Sequence, residues 1–199
     1  MLKKEAKEIT GGLSAPSKMP GPSYNLPAPA CITGSKLVNV IDSVCEGCYA
    51  LKGRYNFPNV KAALARRLAS LGHPDWIAAM IVLIKGEPVF RWHDSGDLQS
   101  PEHLKAIFEV CNATPETSHW LPTQERKYLP LLGSTIPKNL VIRLSSSRIN
   151  GPIPNAWTHS SSVVTDGTET CPAQGQGGKC RSCRACWNPD IKHIKYGKH

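Results

Sequence analysis

PVFRWHDSGDLQSPEHLKAIFEVC, residues 88–111, joins a short apolar run to an amphipathic one through a polar corner. Residues 88–92 carry the aromatic and β-branched types that suit a pleated strand. From Ser100 the period changes: Leu104, Ile107, Phe108 and Cys111 recur at helical spacing, with Ser100 fit for an N-cap and Pro101 for the first turn. A strand followed directly by a helix is half of a parallel β-α-β unit. The rest of the chain decides whether that unit repeats.

It does on both sides. Downstream, SHWLP (118–122), NLVIRLS (139–145) and SSVVTD (161–166) read as three more strands, with a helical or turn segment at 123–132. Upstream, Val60, Leu64, Leu68 and Leu71 form a helical stripe that leaves out Arg66 and Arg67, and residues 74–86 suit a second helix entered at Pro74. Strands alternating with helices imply parallel pairing. The expected fold is therefore α/β: a partial, half β/α-barrel-like parallel sheet, with its core at 56–168. Residues 1–17 read as a flexible basic N-terminus, 18–55 as a Pro-rich loop holding a first Cys group, and 169–199 as a Cys-rich C-terminal tail, all within one domain.

Each expected strand runs into hydrophilic residues: HDSGD, TQER, SSSR and TDG. Ligands of parallel sheets and barrels gather at the carboxyl ends of strands. His93, Asp94 and Asp97 are accordingly candidate catalytic residues, with Asx-turn chemistry as the alternative for the same corner. Arg126 and Arg143, with Arg148, are candidates for binding an anionic cofactor at that mouth. His159, His193 and His199 read as part of a solvated tail.

The 199 residues carry a formal charge of +9, with no signal-peptide pattern and no apolar run of membrane-spanning length. The expectation is a soluble protein of a reducing cytoplasm, with no membrane partner. There, clustered cysteines more often bind metal than form disulfides. A basic charge points toward nucleic acid, but metal-bound thiolates would cancel much of it.

Four of the eight cysteines fall within residues 171–186. Cys180, Cys183 and Cys186 form C-x2-C-x2-C, and Cys171 precedes a proline. Zinc usually takes paired knuckles from two segments. The observed spacing instead follows the ferredoxin type, in which each thiolate takes its own corner of a 4Fe-4S cubane. Zinc, or unligated or disulfide-bonded cysteine, is the alternative. Glycines 175, 177 and 178 would let the chain curl its amides toward the sulfurs. Cys31, Cys45 and Cys48 form a second group, whose polar flanks favour metal over a redox pair. Three thiolates leave an open iron or a fourth ligand of another type, for which His93, Asp94 and Asp97 are candidates. Cys111 reads as a buried apolar residue.

These stretches, with KMPGPSYNLPA, CITGSKL, SVCEGCYALKGRYNFPNV, FRWHDSGDL, HWLPTQERKYL and NLVIRLSSSRINGP, make residues 18–187 resemble a phage protein family described as gene product 88-like. The resemblance implies a phage or prophage origin and a set of seven family cysteines, and assigns no activity. The CEGCYA segment is more loosely similar to radical S-adenosylmethionine proteins, themselves partial β/α barrels. Thirteen residues separate Cys31 from Cys45, where those enzymes have three. The expected function is thus an iron-sulfur protein with one or two 4Fe-4S clusters, in electron transfer or radical chemistry with S-adenosylmethionine, acting with a redox partner or small-molecule substrate. The rival is a zinc-stapled nucleic-acid-binding module with Lys179, Arg181 and Arg184 on phosphates.

Overall fold

Val89–Trp92 and the helix that follows it supply much of the main apolar core. The computed structural model describes residues 1–129, 135–155 and 157–198. Its strands are β1 (Ser23–Tyr24), β2 (Val89–Trp92), β3 (Ser118–Thr123), β4 (Leu140–Ile149), β5 (Ser160–Val164) and β6 (His193–Gly197). They lie side by side in chain order, and every neighbouring pair is parallel. The helices are α1 (Lys3–Thr10), α2 (Gly34–Leu37), α3 (Pro58–Ser70), α4 (Trp76–Ile84) and α5 (Pro101–Ala113). The sheet is open, with β1 and β6 as its edges. The architecture is the expected α/β, partial-barrel type.

Side chains alternate across a strand, and here both faces are covered. Phe90, Trp92, Leu121, Ile142 and Leu144 pack with Trp76, Met80 and Ile84 of α4 and with Leu104, Ile107 and Phe108 of α5. On the opposite face Val89, Trp120 and Ile194 pack with Cys186 and Trp187. The connection from β5 to β6, which carries the tail cysteines, therefore covers the side that the helices leave open. α5 begins as its sequence demands: the Ser100 hydroxyl accepts the His103 amide at 3.1 Å.

Several expectations are corrected. The N-terminal stretch is not a free charged tail, because α1 lays fully buried Ala6 and Thr10 against the protein, with Ala6 packed on Ala79 and Leu83. Small side chains let the two helices approach closely. Arg67, outside the α3 stripe, is buried and donates from Nε to the Gly12 carbonyl (2.8 Å) and from its guanidinium to Ser14 Oγ (2.9 Å). β6 replaces the expected solvated tail, and the His193 ring lies between the hydroxyls of Ser160 (2.8 Å) and Ser162 (3.0 Å). The helical or turn segment expected at 123–132 is met by a short 3-10 turn at Arg126–Tyr128, and residues 130–132 lie outside the described residues. Among the described residues, no helix is long and apolar enough to cross a membrane.

Candidate functional site

Cys31, Cys45 and Cys48 stand on the loop that leaves β1, and three strand ends hold that loop. Glu125, at the end of β3, accepts the Thr33 amide (2.7 Å) and the Thr33 hydroxyl (2.9 Å) on its two carboxylate oxygens. Past the middle of β4, the Ser147 carbonyl accepts the Val44 amide at 3.1 Å, and Ser43 bridges to Arg148. After β2, the Ser95 carbonyl accepts the Leu26 amide (2.9 Å) and the Ser95 hydroxyl donates to the Leu26 carbonyl (2.9 Å). Gly34 packs closely against two of the cysteines. A Cβ there would lie 3.0 Å from Cys31 Cβ, 3.7 Å from Cys31 Sγ and 3.6 Å from Cys45 Sγ. Two sulfurs thus flank a space that any side chain at 34 would fill.

Like charge crowds this corner. Burial, then Asp97, Cys45, Cys48 and Glu125, all push the Cys31 thiol in one direction, up to about 12. Burial, Cys48 and Asp97 raise Cys45 to about 11. Thiolates here would repel one another and the neighbouring carboxylates, a strain that a bound cation relieves.

The candidate residues of the β2 corner separate. Asp97 stays with the cysteines, but its oxygens already accept the Leu98 amide (2.8 Å), the Thr123 hydroxyl (2.6 Å) and the Gln124 amide (2.8 Å). Burial raises its carboxyl to about 7, although those hydrogen bonds favour the charged form. Asp94 pairs with Arg91 at 3.0 Å and accepts the Tyr55 hydroxyl at 2.8 Å, and its carbonyl takes the Tyr49 hydroxyl. His93 turns into the core beside Trp92 and His103, with ring centroids 6.4 and 5.2 Å away. Burial holds its pKa well below the usual histidine value.

The tail cysteines meet elsewhere, on the face opposite the helices. Cys171, Cys180, Cys183 and Cys186 line one small cavity, together with Pro172, Trp187 and Ile194. Their sulfurs sense one another: Cys183 raises Cys171, and Cys171 raises both Cys180 and Cys186, in each case after burial. Cys186, pushed up to about 11 by burial, is partly offset by the Tyr196 hydroxyl 3.2 Å from its sulfur and by Arg91 and Arg143. All eight cysteines are free thiols. The expected glycine-amide cradle is not formed at Gly178, whose N–H donates to the Ala173 carbonyl at 2.7 Å.

Arg143 is fully buried and is given other work than binding at the mouth. Its guanidinium donates to the carbonyls of Cys186 (3.0 Å), Ile191 (2.8 Å), Ala185 (2.9 Å) and Asn188 (3.0 Å), fixing the end of the Cys tail to the sheet. Arg126 is exposed at the turn after β3. Among the described residues, no group of three or more His, Cys, Asp or Glu is arranged to hold a single metal ion. Glu125, Gly34, Arg91 and Tyr196 were not singled out by residue pattern. Glu125 and Gly34 had the faint signal of lying inside the strand-end and cysteine motifs; the other two had none.

Two core histidines set a pH limit on stability. Burial lowers both His103 and His119 to about 4. Between about pH 6.5 and 4 the unfolded chain takes up protons that the folded one refuses, costing about 3 kcal/mol for each ring as pH falls. Asp97, with its raised pKa, acts oppositely: its contribution is complete below about pH 4 and is lost as pH rises toward 7. The histidines together outweigh it. Urea unfolding is expected to show lower stability at pH 5 than at pH 7.5, and His119→Phe should reduce that slope. Equal stability at both values would contradict the assignment.

The family model described as Gene product 88 matches residues 1–189. No curated protein and no solved structure matches the chain.

Proposed function

The chain belongs to the Gene product 88 family, a phage gene-product family, and from its own residues we propose that it is a 4Fe-4S iron-sulfur protein with an electron-transfer or radical-type role. One observation carries the reading: four thiols up to fifteen positions apart in sequence line a single small cavity roofed by apolar side chains. Around one tetrahedral zinc, with bonds of about 2.3 Å, the sulfurs would have to close to about 3.8 Å of one another. Thiols arranged around a cavity suit a cubane, which presents a separate iron to each. The fit is supported by the Tyr196 hydroxyl beside Cys186 and by the buried, unpartnered Nε of Arg91, a donor facing no protein acceptor.

The three-cysteine group suits a second centre with one position free. Asp97, Asp94 and His93 are the candidate fourth ligands; both aspartates already accept hydrogen bonds, whereas the His93 ring is buried in the core with neither nitrogen partnered. A cluster held by Cys171, Cys180, Cys183 and Cys186 would supply single-electron transfer, and one held by Cys31, Cys45 and Cys48 would leave a position for a substrate or for S-adenosylmethionine. The chain's own contribution at that mouth is positional. Glu125 fixes the Cys31 loop through Thr33, and Asp97, with a carboxyl near neutrality, can hold or release a proton beside the thiols. The nucleic-acid reading draws on Lys179, Arg181 and Arg184, all exposed, but the Arg184 guanidinium already donates to the carbonyls of Arg181 (2.6 Å) and Cys183 (2.9 Å).

Cys183→Ser tests the ligand set. Protein prepared without oxygen is expected to lose the tail cluster's share of its visible absorbance with this change, whereas Cys111→Ser, in the core, should retain it. A Cys183→Ser spectrum like that of the unaltered protein would show that the tail holds no cluster.

A further inference from the structure

Between the two cysteine groups lies a cation, Arg91, of which the reading above uses only the unpartnered Nε. Arg91, on β2, is only 17% exposed, and its guanidinium is centred 4.4 Å over the ring of Trp120. One terminal nitrogen is 3.0 Å from Asp94 Oδ1 and 3.3 Å from Met19 Sδ. Its Nε is buried without a partner.

Contacts run from this side chain to both groups. Toward the mouth, Asp94 accepts the hydroxyls of Tyr55 on its carboxylate and of Tyr49 on its carbonyl, and Tyr49 directly follows Cys48. Toward the tail, Trp120 and Met19 belong to the apolar cluster that contains Cys171 and Cys186. The Lys18 carbonyl, one residue before Met19, accepts the Cys180 amide at 2.9 Å. Burial works against the charge on Arg91, but the Asp94 carboxylate 3.0 Å away offsets it, and the guanidinium stays protonated.

We infer that Arg91 is a positioning residue shared by both groups: one fixed positive charge that raises the reduction potential of the tail cluster while holding the Asp94–Tyr49 corner beside Cys48. The inference rests on the iron-sulfur reading. Its physical basis is that a nearby cation in a poorly solvated setting stabilises an added electron, and that hydrogen bonding and charge around the sulfurs set a cluster's potential. Asp94 is the counterweight, since it neutralises part of the same charge.

The test is an EPR-monitored redox titration of the full chain, purified without oxygen and reduced stepwise with dithionite. Cys45→Ser, which removes a ligand of the other group, identifies the tail signal. Arg91→Met should make reduction of the tail cluster about tenfold less favourable, a fall of about 59 mV for one electron. Arg91→Lys, which keeps the charge, should stay within about threefold of the unaltered protein, and Asp94→Asn should shift the potential upward. Opposite signs for Arg91→Met and Asp94→Asn are not produced by loosened packing. Iron-loaded Arg91→Met with an unchanged potential, or Arg91→Lys falling as far as Arg91→Met, would overturn the role of charge. If Arg91→Met does not fold, an unshifted Asp94→Asn overturns it. Absence of iron and sulfide from the unaltered protein is a different failure, which removes the iron-sulfur reading and this inference with it.

Discussion

Arg143→Met is expected to lower stability by about 3–5 kcal/mol and the melting temperature by roughly 10 °C. The change removes a fully buried guanidinium that serves four carbonyls between Ala185 and Ile191. Charge-assisted bonds of this kind contribute about 1.5–3 kcal/mol each, and losing the donor strands the acceptors. Part of that loss is returned, because the buried charge itself is costly to desolvate. What remains is a large share of the roughly 5–15 kcal/mol that holds a typical domain together. The damage should centre on the tail, so amide exchange at residues 185–191 should rise more than in α5. A loss under about 1 kcal/mol would mean that the tail is held by its apolar contacts alone.

Gly96→Ala is expected to act on the other group. Gly96 has a φ of +79°, and an added Cβ would lie 2.5 Å from Leu26 Cβ and 2.9 Å from the Leu26 carbonyl oxygen. The left-handed conformation alone costs an L-residue about 1–2 kcal/mol, and the backbone contact adds to it, for a total of about 3 kcal/mol. The Ser95–Leu26 hydrogen bonds fasten this corner to the segment that leads to Cys31. Prying it open should therefore cost the three-cysteine group its iron while the tail retains its own. Metal analysis beside the Cys45→Ser and Cys183→Ser proteins separates the two contributions; full iron content in Gly96→Ala would contradict the arrangement.

Strands β2 to β5 and helices α3 to α5 are legible in the sequence because each buries an apolar face large enough to leave a period. β1 and β6 are not. β1 has two residues, and β6, HIKYG, is specified by pairing with β5, a partner its own sequence does not reveal. α1 is hidden for the opposite reason: it is rich in charge and touches the protein through small residues such as Ala6. The cysteine spacings point to the two groups, and the strand-end rule points to Asp97 and the mouth. Spacing does not say which face of the sheet a loop will cover. The tail therefore lies on the side opposite the helices with no warning, and Arg143, placed by pattern at a strand end, becomes its anchor. Likewise Arg91 is merely one cation in an aromatic strand until Trp120, Asp94 and Met19 surround it.

The central claim is that the tail thiols hold a 4Fe-4S cluster, and elemental analysis of the full chain purified without oxygen tests it most directly. Iron and acid-labile sulfide are expected in equal amounts, at about four of each per chain or more. Stoichiometric zinc with neither iron nor sulfide would contradict it.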